Sequence, residues 1–463
     1  MLFNSTEFLF VFLPIVFMIY FALNKAKLII PAQGWLVISS LVFYSYWKIE
    51  YLPLILISMI VNYSFGCTLS HSKLKINRKL VLTLAILLNI LLLGYYKYFD
   101  FLISNINFIL HSDFNYLNIA LPLGISFITF QQIAYIVDSY RGLTKEYDLL
   151  SYALFVTFFP QLIAGPIVHH QEMMPQFANL RNKVLNHKNI SIGLFLLSIG
   201  LFKKILIADY FSPFVKETFD IIPTLTFFES WIASFSYTFQ LYFDFSGYCD
   251  MALGIAYLFN IKLPQNFNSP YKAKDIQDFW RRWHITLSRF LRDYIYIPLG
   301  GNRAGKFNTY KNLFLTFLIG GLWHGANWTF IIWGALHGLA NCLFRIFNNY
   351  QNRIITILFI NFSWVFFRAE SVSKAINIIK SMFGLNGFEP LIINKLRFSF
   401  ENGDLKLSLF LFVGAIILLL IPNSNELVKK LKPNFLFGII TITLFLISVL
   451  QLNKISEFLY FQF

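Results

Sequence analysis

Residues 8–23 read FLFVFLPIVFMIYFAL, sixteen positions with no charged side chain. Comparable apolar runs recur at 81–96, 191–206, 407–421 and 434–452. A helix needs roughly 20 mostly apolar residues to cross a bilayer, so each run approaches a span. Composition agrees: 57% of the residues are hydrophobic and 13% charged, where a soluble chain carries about 25% charge. The runs do not alternate apolar with polar, which excludes a closed β-barrel. About ten to twelve spans can be counted along 1–463, read as a single membrane domain. The expected class is therefore all-α, a polytopic integral membrane protein.

A net charge of +15 raises the question of a polyanionic partner. The placement of the basic residues answers it. They cluster in short loops: Lys25 and Lys27; Lys73, Lys75, Arg78 and Lys79; Arg141 and Lys145; then a block from Lys272 to Lys311. Positive-inside bias accounts for such clusters without nucleic acid. The same bias puts these loops in the cytoplasm and the N-terminus on the periplasmic side. The opening MLFNSTEFLF has no basic stretch before its apolar core, which reads as a retained first helix rather than a cleaved signal. Cys67, Cys249 and Cys342 form no disulfide framework and no metal-ligand spacing.

Two polar islands interrupt the apolar pattern. Residues 168–190 read as a cytoplasmic loop, preceded by FPQLIAGPI at 159–167. That segment is short for a span and holds Pro160, Gly165 and Pro166. Irregular backbone at membrane depth persists only where protein or a cavity covers it, so a re-entrant or broken helix is expected there. The second island, 262–311, is a basic amphipathic segment of the cytoplasmic interface. Trp283, Leu287, Phe290, Leu291 and Tyr294 recur at helical spacing, with Arg281, Arg282, Arg289 and Arg292 largely off that stripe. Residues 312–344 are too long for one ordinary span and short for two. They read as a broken pair of half-length helices meeting near Gly325–Asn327, or as one long tilted helix. Either places His324 about 20 Å along the helix from Lys311.

His324 is the ionisable group of GGLWHGANW, residues 320–328. An ionisable side chain at membrane depth is costly, so function is its default reading; a neutral ring bonded to a neighbouring helix is the structural alternative. A neutral imidazole in a dry pocket keeps one nitrogen able to take a proton from a hydroxyl or thiol. His284 is a second candidate. His337 reads as packing, and His169 and His170 as solvated. No HExxH and no histidine pair at helical spacing appear, so no metal is expected. Phosphate loops and nucleophile elbows are absent as well. Asp244 and Asp250 read as structural groups paired with nearby bases such as Lys203 or Lys204. Tyr460, in the aromatic tail 453–463, reads as an interfacial anchor or, alternatively, as an acyl acceptor.

DFWRRWHITLSRFLRDYIYIPLGGNR (278–303) followed by GGLWHGANWTFIIWGALHG (320–338) resembles the membrane-bound O-acyltransferase family, in its bacterial branch serving cell-envelope polysaccharides. Supporting blocks are FPQLIAGPI, GLFKKILIAD, YFDFSGYCDMALGIAYLF, NFNSPY and WVFFRAES. The resemblance implies about eleven helices around a central tunnel, with His324 and His284 as catalytic histidines. It also likens the tail to a partner peptide whose tyrosine is an acyl relay, which makes Tyr460 a possible relay. Trp280, Trp323, Asn327 and Trp328 are candidates to line the tunnel. Arg281, Arg282, Arg289 and Arg292 are candidates to hold the phosphates of a donor, with anionic headgroups as the alternative ligand for any one of them.

The implied reaction passes acetyl from a cytoplasmic thioester, most simply acetyl-CoA, across the inner membrane. No cofactor is bound, and a periplasmic serine-hydrolase-like O-acetyltransferase is the implied partner. Peptidoglycan is the favoured acceptor and alginate or another exopolysaccharide the alternative, since a chain rich in Phe, Ile, Lys and Asn points to an AT-rich genome. A carrier or a scaffold without catalysis is the rival class; the sequence shows no duplicated halves of the kind transporters carry.

Overall fold

Lipid offers the backbone no hydrogen bonds, so a chain this apolar must satisfy its amides within helices. The computed structural model does so. It describes residues 1–71, 77–144, 148–303, 305–347, 350–388, 414–416, 418–430, 434–452 and 458–459, and every regular element among them is helical. Five helical stretches are long and apolar enough to cross a membrane: Phe8–Lys25, Ile49–Ser70, Arg78–Leu110, His187–Ile221 and Trp328–Ile346. Ile29–Ser45 and Phe435–Val449 are shorter apolar helices. Exposed side chains on them, such as Ile30, Ile57 and Leu91, are the apolar surface that lipid covers. Tyr460 and most of the tail lie outside the described residues.

The chain divides into two compact units. The first comprises Met1–Leu201, Tyr248–Gln265 and the described residues of 432–461. Its core is aromatic: Phe8 meets Phe3 and Phe43 at ring distances of 5.0 and 5.7 Å, and Phe159 closes on Phe12 at 5.4 Å. From the tail, Phe458 stacks on Tyr248 at 4.4 Å. The break expected at 159–167 is present. The helix Leu149–Thr157 stops at Phe158, a single turn Phe159–Leu162 follows, and the backbone is then irregular to His169. Protein covers it: residues 158–168 are all buried. Ser40 Oγ accepts from the Phe159 amide at 3.1 Å, and the Gln131 and Gln161 amides both donate to the Phe155 carbonyl. Gly165 is required, because a Cβ there would lie 2.4 Å from Gln161 Cα.

Residues 170–178 of the first polar island form a helix rather than open loop. The histidines at its start are enclosed, not solvated. His170 is buried and shares a hydrogen bond with Thr144 Oγ1, and His169 Nδ1 lies 3.6 Å from Asp138 Oδ2. Polar composition suggested water; a carboxylate and a hydroxyl take its place.

The second unit comprises Phe202–Gly247 and the described residues of 266–431. Its elements near the site are α1 (Phe227–Leu258, of which residues to Gly247 belong here), α2 (Ile276–Trp280), α3 (Ile285–Leu291), α4 (Gly305–His324), α5 (Trp328–Ile346) and α6 (Arg353–Arg368). Asp244 on α1 pairs with Lys204 Nζ at 2.5 Å, and Asp209 completes the cluster at 2.9 Å. This is the structural role expected of Asp244, with a buried acid meeting a buried base.

The amphipathic stripe at 283–294 is not one surface helix. Trp283, Leu287 and Phe290 are each about 2% exposed or less and pack inside protein. The helix breaks at His284, whose φ is +43°. Two strands of irregular chain make that break: the Ile285 amide donates to the Asn266 carbonyl at 3.0 Å, and the Asn268 amide to the Arg282 carbonyl at 2.9 Å. Periodicity reads straight through such a break because only the four residues 281–284 separate the two helices.

Residues 305–346 form an antiparallel hairpin, neither half-length helices nor one tilted rod. α4 starts at Gly305, ahead of the expected 312, which gives helices of 20 and 19 residues, each about 30 Å long. Gly321 and Gly334 let the backbones touch, with their Cα atoms so close that a Cβ at Gly321 would lie 2.4 Å from the Phe330 carbonyl. Asn327 ends the turn. Its Oδ1 accepts from the Thr329 amide at 3.1 Å as an N-cap, and its Nδ2 donates to the Glu370 carbonyl at 2.9 Å.

Candidate active site

His324 is the last residue of α4, at the tip of the hairpin. It is 4% exposed and enclosed by the rings of Trp323, Trp333 and Phe367 at 4.9, 5.1 and 5.1 Å. It also lines a cavity of about 590 Å³ that runs between α2, α3, α4 and α5. Near the imidazole the walls are Gly320, Phe317, Trp280 and Trp333. Elsewhere they carry four arginines, Arg281, Arg289, Arg292 and Arg345, and no lining residue is Asp or Glu. A cavity with that charge attracts an anion, and guanidinium forks suit phosphate oxygens.

His284 is fully buried and does not line the cavity. Asn266 Oδ1 takes hydrogen bonds from the Thr286 amide and hydroxyl at 3.2 and 2.8 Å, which identifies that atom as the oxygen. His284 Nδ1, 3.2 Å from the same oxygen, therefore carries a proton, and Nε2 is the basic nitrogen. The residue lies outside the spans, and burial pushes its pKa down to about 3, so the ring is neutral at ordinary pH. Both histidine rings border Trp323, His284 at 6.2 Å and His324 at 4.9 Å.

The other candidates separate. Arg281, Arg289, Arg292 and Trp280 stand in the cavity wall, the Arg292 guanidinium donating to both carboxylate oxygens of Asp293 at 2.7 and 3.1 Å. Arg282 does not; its Nε donates to Asp278 Oδ1 at 2.8 Å and its Nη1 to the Asn268 carbonyl at 3.3 Å. Partial burial raises the Asp278 carboxyl, but the Arg282 hydrogen bond, the Lys274 amide and the charges of Arg282 and Arg281 together outweigh it, so the carboxyl titrates below its ordinary value. Trp323 is buried behind the wall, Asn327 is committed to the helix cap, and Trp328 faces outward at 51% exposure. Tyr460 lies outside the described residues.

The membrane-bound O-acyltransferase family model matches residues 32–372. The chain belongs to the membrane-bound O-acyltransferase family. It is accordingly an O-acyltransferase, embedded in a membrane by several helices. Among individual proteins, the chain is 49% identical over 439 residues to the peptidoglycan O-acetyltransferase of Helicobacter pylori, covering 87% of this chain and 83% of that one. It is 38% identical over 415 residues to a probable alginate O-acetylase of Pseudomonas aeruginosa, covering 85% and 77%. The teichoic acid D-alanyltransferase of Bacillus subtilis is 30% identical over 241 residues, covering 50% of this chain and 60% of that one.

Set within this acyltransferase, one row of site residues was missed in the sequence, which read its His337 as packing and passed over the rest. Trp333, His337, Asn341 and Arg345 recur every fourth position and so share a face of α5. Trp333, Asn341 and Arg345 line the cavity, and His337 lies directly behind its wall, 5.0 Å from Trp280 ring to ring. The regular spacing of polar and aromatic types inside an apolar span was the available signal.

Proposed function

We propose that this acyltransferase passes acetyl groups from a cytoplasmic thioester across the inner membrane, for O-acetylation of an extracytoplasmic polysaccharide. One observation carries the donor side: a single cavity joins His324 to four arginines with no acid in its lining. From Trp333, beside His324, to Arg345 is twelve residues of α5, about 18 Å of helix. An extended pantetheine arm bridges such a span. Arg281, Arg289 and Arg345 hold the phosphates, Arg292 joins them with its guanidinium shared with Asp293, and the thioester lies against His324. Acetyl-CoA is the simplest donor of this kind.

The acceptor oxygen attacks the thioester carbonyl, the carbon–sulfur bond breaks, and the hydroxyl proton leaves through the imidazole to the departing thiolate. His324 serves as that base or carries the acetyl group in transit, and His284 orients or assists. The acceptor side is reached directly or through Tyr460 and a periplasmic serine-hydrolase-like partner. The relative from Helicobacter pylori supports peptidoglycan as the final acceptor; the alginate O-acetylases among the relatives support an exopolysaccharide as the second reading.

Purified protein in liposomes, given labelled acetyl-CoA, tests the reaction. Thioester turnover is expected, with His324→Ala lowering it by about 10²-fold or more while melting as the wild type does. No turnover by the wild type would overturn the proposal. Mass spectrometry of muropeptides from cells lacking the gene then separates the acceptors: lost acetylation assigns peptidoglycan, and unchanged muropeptides with a deacetylated exopolysaccharide assign the other.

A further inference from the structure

We propose that His337 is a positioning residue that fixes Trp280 as the side wall of the cavity between the arginines and His324, and so sets where the donor's thioester comes to rest. This rests on the acyltransfer reading above. His337 is fully buried, and the hydrogen bonds around it admit one assignment of protons. The Ser363 hydroxyl donates to the Ile360 carbonyl at 2.8 Å, so toward His337 it presents a lone pair. His337 Nε2, 3.0 Å from Ser363 Oγ, must then be the donor. A neutral ring protonated at Nε2 leaves Nδ1 as an acceptor, and the Trp280 indole N–H donates to it at 3.2 Å. The chain of donors runs one way, from Trp280 through His337 and Ser363 to a backbone carbonyl. Such a chain orients each ring more firmly than packing alone.

What it orients is the cavity wall. Trp280 sits on a one-and-a-half-turn helix, α2, that ends at the break before His284, so its own element gives little rigidity. The indole meets Phe317 at 5.2 Å and Trp333 at 5.7 Å, and Trp333 meets His324 at 5.1 Å. Phe317 and His324 are seven residues apart on α4, about 10 Å along the axis. Trp280 therefore flanks the path between the phosphate-binding arginines and the imidazole. Acyl transfer depends on reacting atoms held within a few tenths of an ångström of attack geometry, and a 1 Å displacement costs on the order of 10²-fold. His337 also stacks its own edge on Trp333 at 4.7 Å, so the two walls share one anchor.

The test uses the full-length protein with His337→Phe, His337→Asn, Trp280→Phe and the His337→Phe/Trp280→Phe double variant. Asparagine keeps an acceptor near the Nδ1 position; phenylalanine keeps the volume and loses it. Expected are falls of about tenfold in kcat/KM for acetyl-CoA in each Phe variant, carried by kcat more than by KM. Recovery to within about threefold is expected in His337→Asn, and no further loss in the double variant, since both singles break the same Trp280–His337 bond. Wild-type kinetics in His337→Phe, or losses that multiply in the double variant, would overturn the assignment. An activity-independent readout separates it from the reaction itself. The ¹⁵N indole resonance of Trp280 should move in His337→Phe and return in His337→Asn. A resonance that stays put overturns the hydrogen bond even if acetyl transfer is confirmed. A resonance that moves in a protein with no acetyl transfer retains the anchor and removes the reaction.

Discussion

Arg282 commits its guanidinium to Asp278 and to a backbone carbonyl, whereas Arg345 stands in the wall of the cavity beside Asn341. The two have the same charge, but in the sequence only Arg282 was a candidate for a phosphate. A charge-assisted hydrogen bond to phosphate contributes roughly 1.5–3 kcal/mol, so Arg345→Gln should raise KM for acetyl-CoA by about tenfold or more with kcat little changed. Arg282→Gln should leave that KM within about twofold, because its partners are not the donor. Steady-state kinetics on the two variants decide it; equal effects would remove the distinction. The residue scale was thus partly legible. His324 and His284 stand out as costly groups in apolar surroundings, but no sequence says which arginine is already paired. Pairing depends on Asp278 lying one helical turn before Arg282, and on Asn268 arriving from a segment fourteen residues earlier.

The element that presents His324 is the α4–α5 hairpin, and its turn is three residues long. Asn327 holds that turn twice, as cap acceptor and as donor to the Glu370 carbonyl just beyond α6. Asn327→Asp keeps the cap and loses the donor, and Asn327→Ala loses both, with the lost cap costing about 1 kcal/mol. Melting should therefore fall more in Asn327→Ala than in Asn327→Asp. Thioester turnover should fall in both, since the loosened turn carries the imidazole. Wild-type turnover in Asn327→Asp would show that the Glu370 bond does not position His324. The sequence marked this break, because Gly325–Asn327 interrupts an apolar run. It misjudged the lengths on either side, since the polar residues 305–311 read as loop and fold as the first two turns of α4. The stripe at 283–294 failed in the opposite way. Helical spacing continued across His284, and the kink became visible only once Asn266 was seen to bind the residues on its C-terminal side.

At the scale of the molecule, orientation is the property that gives the chemistry a direction. Basic loops at Lys25 and Lys27 and in the 272–311 block favour the cytoplasmic side. A single-cysteine variant at Ala26, on a background with the three native cysteines replaced, should resist a membrane-impermeant maleimide in intact spheroplasts and react once the membrane is permeabilised. Labelling in intact spheroplasts would reverse the assigned direction of transfer. Membrane class, helical architecture and family are determined by the sequence alone, because each is an additive property: hydropathy sums along a run, and motifs are strings of neighbours. The cavity is not additive. Which of the arginines face it, why Trp280 is anchored by His337, and how His284 and His324 come to border the same indole depend on segments far apart in the chain meeting at ångström distances. Only the folded structure decides that, since a buried polar group takes whichever partner packing brings within hydrogen-bond reach.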